Sequence, residues 1–312
     1  MAVPQSLQKG LALPAICAPM FIVSNPDLVI AQCKGGMIGS FPALNARPPE
    51  LLDSWLTRIR AELVDDPDAA PFAVNQIIHQ SNERLEHDMA LCVKHKVPII
   101  ISSLGARTEI NDAAHSYGGV VLHDVITNAF AHKAIEKGAD GLIAVASGAG
   151  GHAGVKSPFA LVQEIRDWFD GPLALSGAIA TGGAVLAAQA MGADFAYVGS
   201  AFIATDEARA CPAYKQMIVD GSSDDIVNSN LFTGVHGNYL RGSIEQVGLD
   251  PDALPSGNSS EMNFGADAAK AWKDIWGSGQ GIGAVKQVQP VCELVARLRM
   301  EYAQARARLS LA

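Results

Sequence analysis

The chain has 312 residues, 49% of them hydrophobic and 18% charged, a composition that supports a sizeable core and excludes a disordered chain. A net charge of −9 disfavours partners such as nucleic acid or anionic membranes, whose phosphates need clustered Lys and Arg. No apolar run is long enough to span a bilayer, and Met1–Gly10 lacks a basic-then-apolar leader pattern, so the expectation is a cytoplasmic protein.

From the N-terminus to about residue 205, short apolar runs alternate with helical patterns. Strands are predicted at Ala15–Ala18, Met37–Phe41, Phe72–Gln76, Pro98–Ser102, Val120–His123, Gly141–Val145, Leu173–Ser176 and Phe195–Val198. Helices are predicted between them at Pro26–Lys34, Pro49–Leu63, Ser81–Lys94, Thr108–Ser116, Asn128–Lys137, Phe159–Phe169 and Gly183–Met191. Runs apolar throughout, such as Val97–Ile101, suit strands buried on both faces of a parallel sheet. Gly-Ala-Asp occurs at Gly138–Asp140 and again at Gly192–Asp194, each time just before a strand, as a helix-to-strand turn requires. The expected class is α/β, a (β/α)8 TIM barrel, with a doubly wound open sheet as the main rival.

Beyond Thr205 the pattern changes. Asp206–Gly257 is polar and broken, Trp272–Val285 is aromatic and then glycine-rich, and Val291–Leu309 reads as an amphipathic helix. The expected division is a barrel over 1–205, a smaller, mainly helical covering subdomain over 206–290, and a helix over 291–312 that packs back on the barrel. The five cysteines are scattered and lack C-x-x-C spacing, so neither disulfides nor a structural zinc site is expected.

A barrel of this kind binds its ligand at the C-terminal ends of the strands. Those ends read Ala18-Pro19-Met20, Asn75, His123-Asp124, Ser176-Gly177-Ala178 and Gly199-Ser200-Ala201. The last two combine small residues with backbone N–H groups and suit one phosphate monoester. Nothing resembles G-x-G-x-x-G after the first strand, so FMN is better supported than a dinucleotide. The sixth strand runs into Ala144–Pro158, where Gly148, Gly150, Gly151 and Gly154 surround His152. Glycines let that backbone come close to a flat ligand, and the imidazole is the one group in the loop that exchanges a proton near neutral pH.

In order and spacing, Ala18-Pro19-Met20, Pro71–Asn75, Gly138–Asp140, Gly148–Gly154, Ser176-Gly177, Gly199–Thr205 and Gly277–Gly283 resemble the nitronate monooxygenases, formerly 2-nitropropane dioxygenases. The resemblance implies a flavoprotein oxidoreductase with non-covalent FMN and a smaller helical domain over the flavin ring. By motif match Met20, Asn75, Gly177, Gly199 and Ser200 look like flavin contacts, and His152 like the active-site histidine. Ala18, Pro19, His123, Gly150, Gly151, Ser176, Ala178 and Gln280 complete the candidate cofactor set. Two departures stand out: Cys17 where relatives often carry Gln, and Ser147-Gly148 where an acidic residue usually precedes Ala-Gly-Gly-His.

The expected reaction is FMN-dependent oxidation of alkyl nitronates, or of nitroalkanes, by O2. His152 would act as a hydrogen-bond donor or cation toward the anion, or as base toward a neutral nitroalkane. One alternative is an NAD(P)H-dependent reductase of quinones or an enoyl thioester, because flavin enoyl reductases share the barrel and a histidine in this loop. A non-flavin barrel, such as a phosphate-sugar isomerase, is the other. Ser147, Lys156, His236, Tyr239 and Arg241 are weighed as further contacts to an anionic substrate. The oligomeric state stays open between monomer and homodimer.

Overall fold

A computed structural model describes residues 3–257 and 274–310; Trp272 lies outside the described residues. Strands β1 (Ala15–Cys17), β2 (Gly39–Pro42), β3 (Phe72–Ile77), β4 (Ile99–Ser103), β5 (Val120–Val125) and β6 (Gly141–Val145) belong to one parallel sheet. A short strand β7 (Gly151–His152) stands apart, and β8 (Leu173–Ser176) and β9 (Phe195–Val198) complete the sheet in the order β1-β9-β8-β6-β5-β4-β3-β2. A parallel bridge from Ile16 to Ile38, with Cys17 N–H donating to Ile38 O at 2.8 Å, closes the ring. The architecture is the predicted eight-stranded barrel.

Helices α1 (Gln5–Gln8), α2 (Pro26–Lys34), α3 (Leu51–Val64), α4 (Leu85–Lys94), α5 (Thr108–His115), α6 (Asn128–Glu136), α7 (Pro158–Arg166) and α8 (Gly182–Ala190) precede or connect these strands. Strand alternation divides the core in two. Ile99, Ile101, Val120, Leu122 and Ile143 fill the barrel interior, while Ile100, Val121 and Leu142 face the helices. Fully buried Leu7 on α1 joins the interior cluster and packs against it from the N-terminal segment.

The repeated Gly-Ala-Asp does one job twice. Gly138 and Gly192 sit at φ +95° and +109°, where a side chain would be strained. The Asp140 carboxylate then accepts from Val121 N at 2.7 Å, and Asp194 from Leu173 N at 2.9 Å, so each registers its strand on the preceding one. Helix starts follow capping chemistry: Asn25, Thr127 and Thr181 accept from the third residue beyond at 3.1, 3.3 and 3.1 Å. The fourth helix starts later than predicted. Asn82 donates to Ile77 O and accepts from Arg84 N, and these local bonds hold 81–84 in a turn.

After β9 come α9 (Ser200–Ile203), α10 (Pro212–Asp220), strands β10 (Ile226–Ser229) and β11 (Gly237–Leu240), α11 (Arg241–Gln246), a 3-10 turn at Gln280–Ala284 and α12 (Val291–Leu309). The cover adds a feature absent from the sequence reading: β10, β11 and β7 form an antiparallel sheet, with Gly237 opposite His152. Helix α12 returns to the barrel wall against α8 and α2. No helix among the described residues is long and apolar enough to cross a membrane.

Candidate active site

A cavity of about 580 Å³ opens at the C-terminal ends of the strands, in the size range of a small-molecule or cofactor site. Its walls include Ala18, Pro19 and Met20 after β1, Asn75 on β3, and His123 on β5. Gly150, Gly151 and His152 border it from the β7 loop. Ser176, Gly177 and Ala178 border it after β8, and Gly199 and Ser200 after β9. Gln280 is the exception: Gly279 and Gly281 line the cavity, whereas its own side chain lies beside Gly148. Ser147, Lys156, His236, Tyr239 and Arg241 are not wall residues. Arg241 is paired with Asp252 at 2.9 and 2.8 Å, and His236 Nδ1 meets Asn228 Oδ1 at 2.8 Å.

Three glycine loops interlock over the rim. A Cβ at Gly279 would lie 2.6 Å from Gly148 O and 2.8 Å from Gly150 N, and one at Gly150 would lie 2.7 Å from Gly279 N. Gly177, at φ +145°, would place a Cβ 2.7 Å from Ser147 O. Only glycine permits these backbone approaches. The stretch Gly277–Gly283 therefore belongs to the site through its backbone: Gly279 N–H donates to Ser200 Oγ at 2.8 Å and Gln280 N–H to Gly148 O at 2.9 Å.

His152 is positioned by the small sheet and by its ring. Asn238 on β11 donates to Ala149 O at 2.6 Å, which pins the loop that leads into β7. The Thr233 hydroxyl donates to Val235 O at 3.1 Å and lies 3.0 Å from His152 Nε2. It also meets the Tyr239 phenol, so one hydroxyl ties the His152 ring to the backbone and to Tyr239. Burial pulls the imidazole from its ordinary 6.5 down to about 4. At neutral pH the ring on its own is uncharged.

His123 behaves differently. Its Nδ1 meets Asp124 O at 2.8 Å and its Nε2 meets Gly105 O at 2.6 Å, so the ring braces two strand ends. The next residue, Asp124, which the sequence reading placed at a ligand-side strand end without a role, lines the cavity together with Ser103 and Tyr197, which it did not name. Period-two alternation along β5 was the clue: Val120 and Leu122 point inward, so Asp124 does too. Burial raises the Asp124 carboxyl above its usual range, and raises the Tyr197 phenol well above 10.

FMN fits these residues. A Cβ at Gly199 would project between Ala18 and the Met20 sulfur, 3.3 and 4.0 Å away, so glycine there leaves open space where the β1 and β9 ends meet. Ser200 accepts from Gly279 N–H and keeps its own O–H to donate. The Ala178 amide is engaged, donating to Gly148 O at 3.2 Å.

A family model described as nitronate monooxygenase matches residues 6–301. A nitronate monooxygenase of Paraburkholderia phytofirmans is 26% identical, with 95% of this chain and 94% of that protein covered. A relative from Mycobacterium tuberculosis is 30% identical over 166 residues, a stretch covering 53% of this chain and 44% of that protein. In fold, the chain is similar to a nitroalkane oxidase from Streptomyces ansochromogenes, with TM-score 0.83, 24% identity, and 97% and 99% of the two chains covered.

Proposed function

The chain belongs to the nitronate monooxygenase family, and from that premise we propose that it oxidises alkyl nitronates with O2, using FMN held in the barrel mouth. The observation that carries this is the convergence of the β1, β3, β8 and β9 ends and the His152 loop on one cavity. Residues 1–205 would supply the cofactor barrel, 206–290 the substrate-side cover and 291–312 the returning helix.

The small-residue ends of β8 and β9, with the Ser200 hydroxyl, would hold the single phosphate. Ala18, Pro19, Met20 and Asn75 would bound the flavin ring. Gly150 and Gly151 would cover it, and Gln280 would keep that loop closed through Gly148. Bound FMN supplies the redox chemistry, taking electrons from the substrate and delivering them to O2. The chain's own part is to bind, orient and exclude water.

His152 decides between two substrate forms. A base near 4 is poorly matched to pulling a proton from a neutral nitroalkane at pH 7. A nitronate has already lost that proton, so it is the form this site favours. The test is oxygen consumption by FMN-loaded enzyme with a primary alkyl nitronate and with its parent nitroalkane. Nitronate is expected to be consumed at least tenfold faster, consistent with a weak base. Equal rates, or no uptake with either, would contradict the proposal.

A further inference from the structure

Beyond the ends of β1 to β5, the loops on the cavity wall are mostly apolar. Phe21, Ile22, Leu44, Ile77, Ile126 and Phe130 line it, and among the described residues His79 and Lys133 are the polar side chains that these loops add. None of the six belongs to the candidate cofactor set. Phe130 is 52% exposed and Ile126 36%, so hydrocarbon stands open to solvent beside a ligand cavity. Open apolar side chains on such a wall mark a place where an apolar part of a ligand is buried.

One end of this wall is held in a conformation that its sequence resists. Ile22 has φ +60°, a left-handed angle at which the branched Cβ crowds the backbone. Asn45, buried in the turn after β2, holds it there with its whole amide. Its Oδ1 accepts from Ile22 N–H at 2.9 Å, and its Nδ2 donates to Met20 O at 2.9 Å and to Ser24 O at 2.8 Å. The turn is fixed from behind by Arg84, which donates to Ala46 O at 2.8 Å and Ala43 O at 3.4 Å and is anchored on buried Asp88 at 3.1 Å. Arg47 donates to Leu44 O at 3.0 Å and sets its guanidinium over the Phe21 ring, 5.4 Å from the centroid. The β1 and β2 loops are thus tied into one body, with Phe21, Ile22 and Leu44 on its cavity side. A turn that only connects two elements takes Gly or Asn at such an angle. A β-branched residue there is kept for what its side chain meets, and Ile22 meets the cavity.

We propose that Ile22, positioned by Asn45, sets substrate specificity: with Phe21 and Leu44 it forms the wall against which the hydrocarbon chain of the substrate lies. The substrate class is then a nitronate with a chain of several carbons rather than the smallest one. The proposal rests on the nitronate reading for the head group and extends it to the rest of the substrate.

Straight-chain alkanoates from acetate to octanoate are the probe, because a carboxylate has the flat two-oxygen head of a nitronate and is not oxidised. Each is titrated into FMN-loaded enzyme, with calorimetry reading Kd. In the wild type Kd should fall about threefold to fourfold per added methylene. Ile22→Gly takes the left-handed angle without strain and removes the wall, so the slope should drop below about twofold. Asn45→Ala should flatten it likewise, and the double variant should be no flatter than Ile22→Gly alone, because the two act through one contact. A wild-type Kd indifferent to chain length, a full slope in Ile22→Gly, or additive losses in the double variant would overturn the proposal. Enzyme that shows the alkanoate slope yet consumes no nitronate would count against the proposed reaction and leave the chain wall standing. Nitronate oxidation with a flat alkanoate slope would keep the reaction and remove the wall.

Discussion

At position 152 the chemistry is set by burial and by one neighbouring hydroxyl. The Thr233 hydroxyl lies 3.0 Å from Nε2, and burial lowers the ring's pKa to about 4. The unfolded chain takes up this proton near 6.5 and the folded chain only near 4. Stability from this group is therefore full above about pH 6.5 and is lost as pH falls toward 4. His152→Asn should remove that slope, which urea unfolding at pH 7, 5.5 and 4.5 would read. The same variant should keep FMN and lose more turnover with the nitroalkane than with the nitronate, short of the roughly 10²–10⁴-fold that a base matched to neutral pH supplies, because only the neutral substrate needs a base. Equal losses on both substrates would show that the ring does something other than accept the carbon's proton. His152 was singled out in the sequence because the other strand ends gather small residues around its glycine loop, and the structure sets it on the cavity wall. Asp124, one residue past His123, was read as part of the β5 end but given no role. Its place on the wall rests on the direction it points and on the Ser103 bond from the neighbouring strand, which no local pattern displays.

Among the elements, the barrel strands and the turns between them were readable and the cover was not. Apolar runs such as Ile99–Ile101 and the two Gly-Ala-Asp turns carry their structure locally. Strand β7 has two residues, and β10 and β11 have four each with a mixed polar sequence. The β10–β11 pair is local, but β11 meets β7 about 85 residues earlier in the chain, so that pairing is decided by tertiary contact rather than by propensity. The return of α12 was expected, and its closeness rests on one glycine. A Cβ at Gly182 would fall 2.1 Å from Leu298 O and 2.2 Å from Tyr302 N, both backbone atoms with little freedom to move. Gly182→Ala should therefore destabilise the fold by about 1–3 kcal/mol, seen as a lower denaturant midpoint, while the folded variant still binds FMN. An unchanged midpoint would mean that α8 and α12 can part without loss.

In the molecule as a whole, a parallel barrel gathers its strand ends, and glycine loops after β6 and β8 interlock there with the Gly277–Gly283 stretch. The cavity between them has a neutral imidazole above and a carboxyl with a raised pKa in its floor. The most direct measurement is anaerobic mixing of the FMN-loaded enzyme with ethylnitronate, and separately with NADH and NADPH, while the flavin absorbance is followed. Rapid bleaching by ethylnitronate and none by the nicotinamides is the predicted result. A protein that holds no flavin, or a flavin reduced by NADH or NADPH and indifferent to the nitronate, would contradict it.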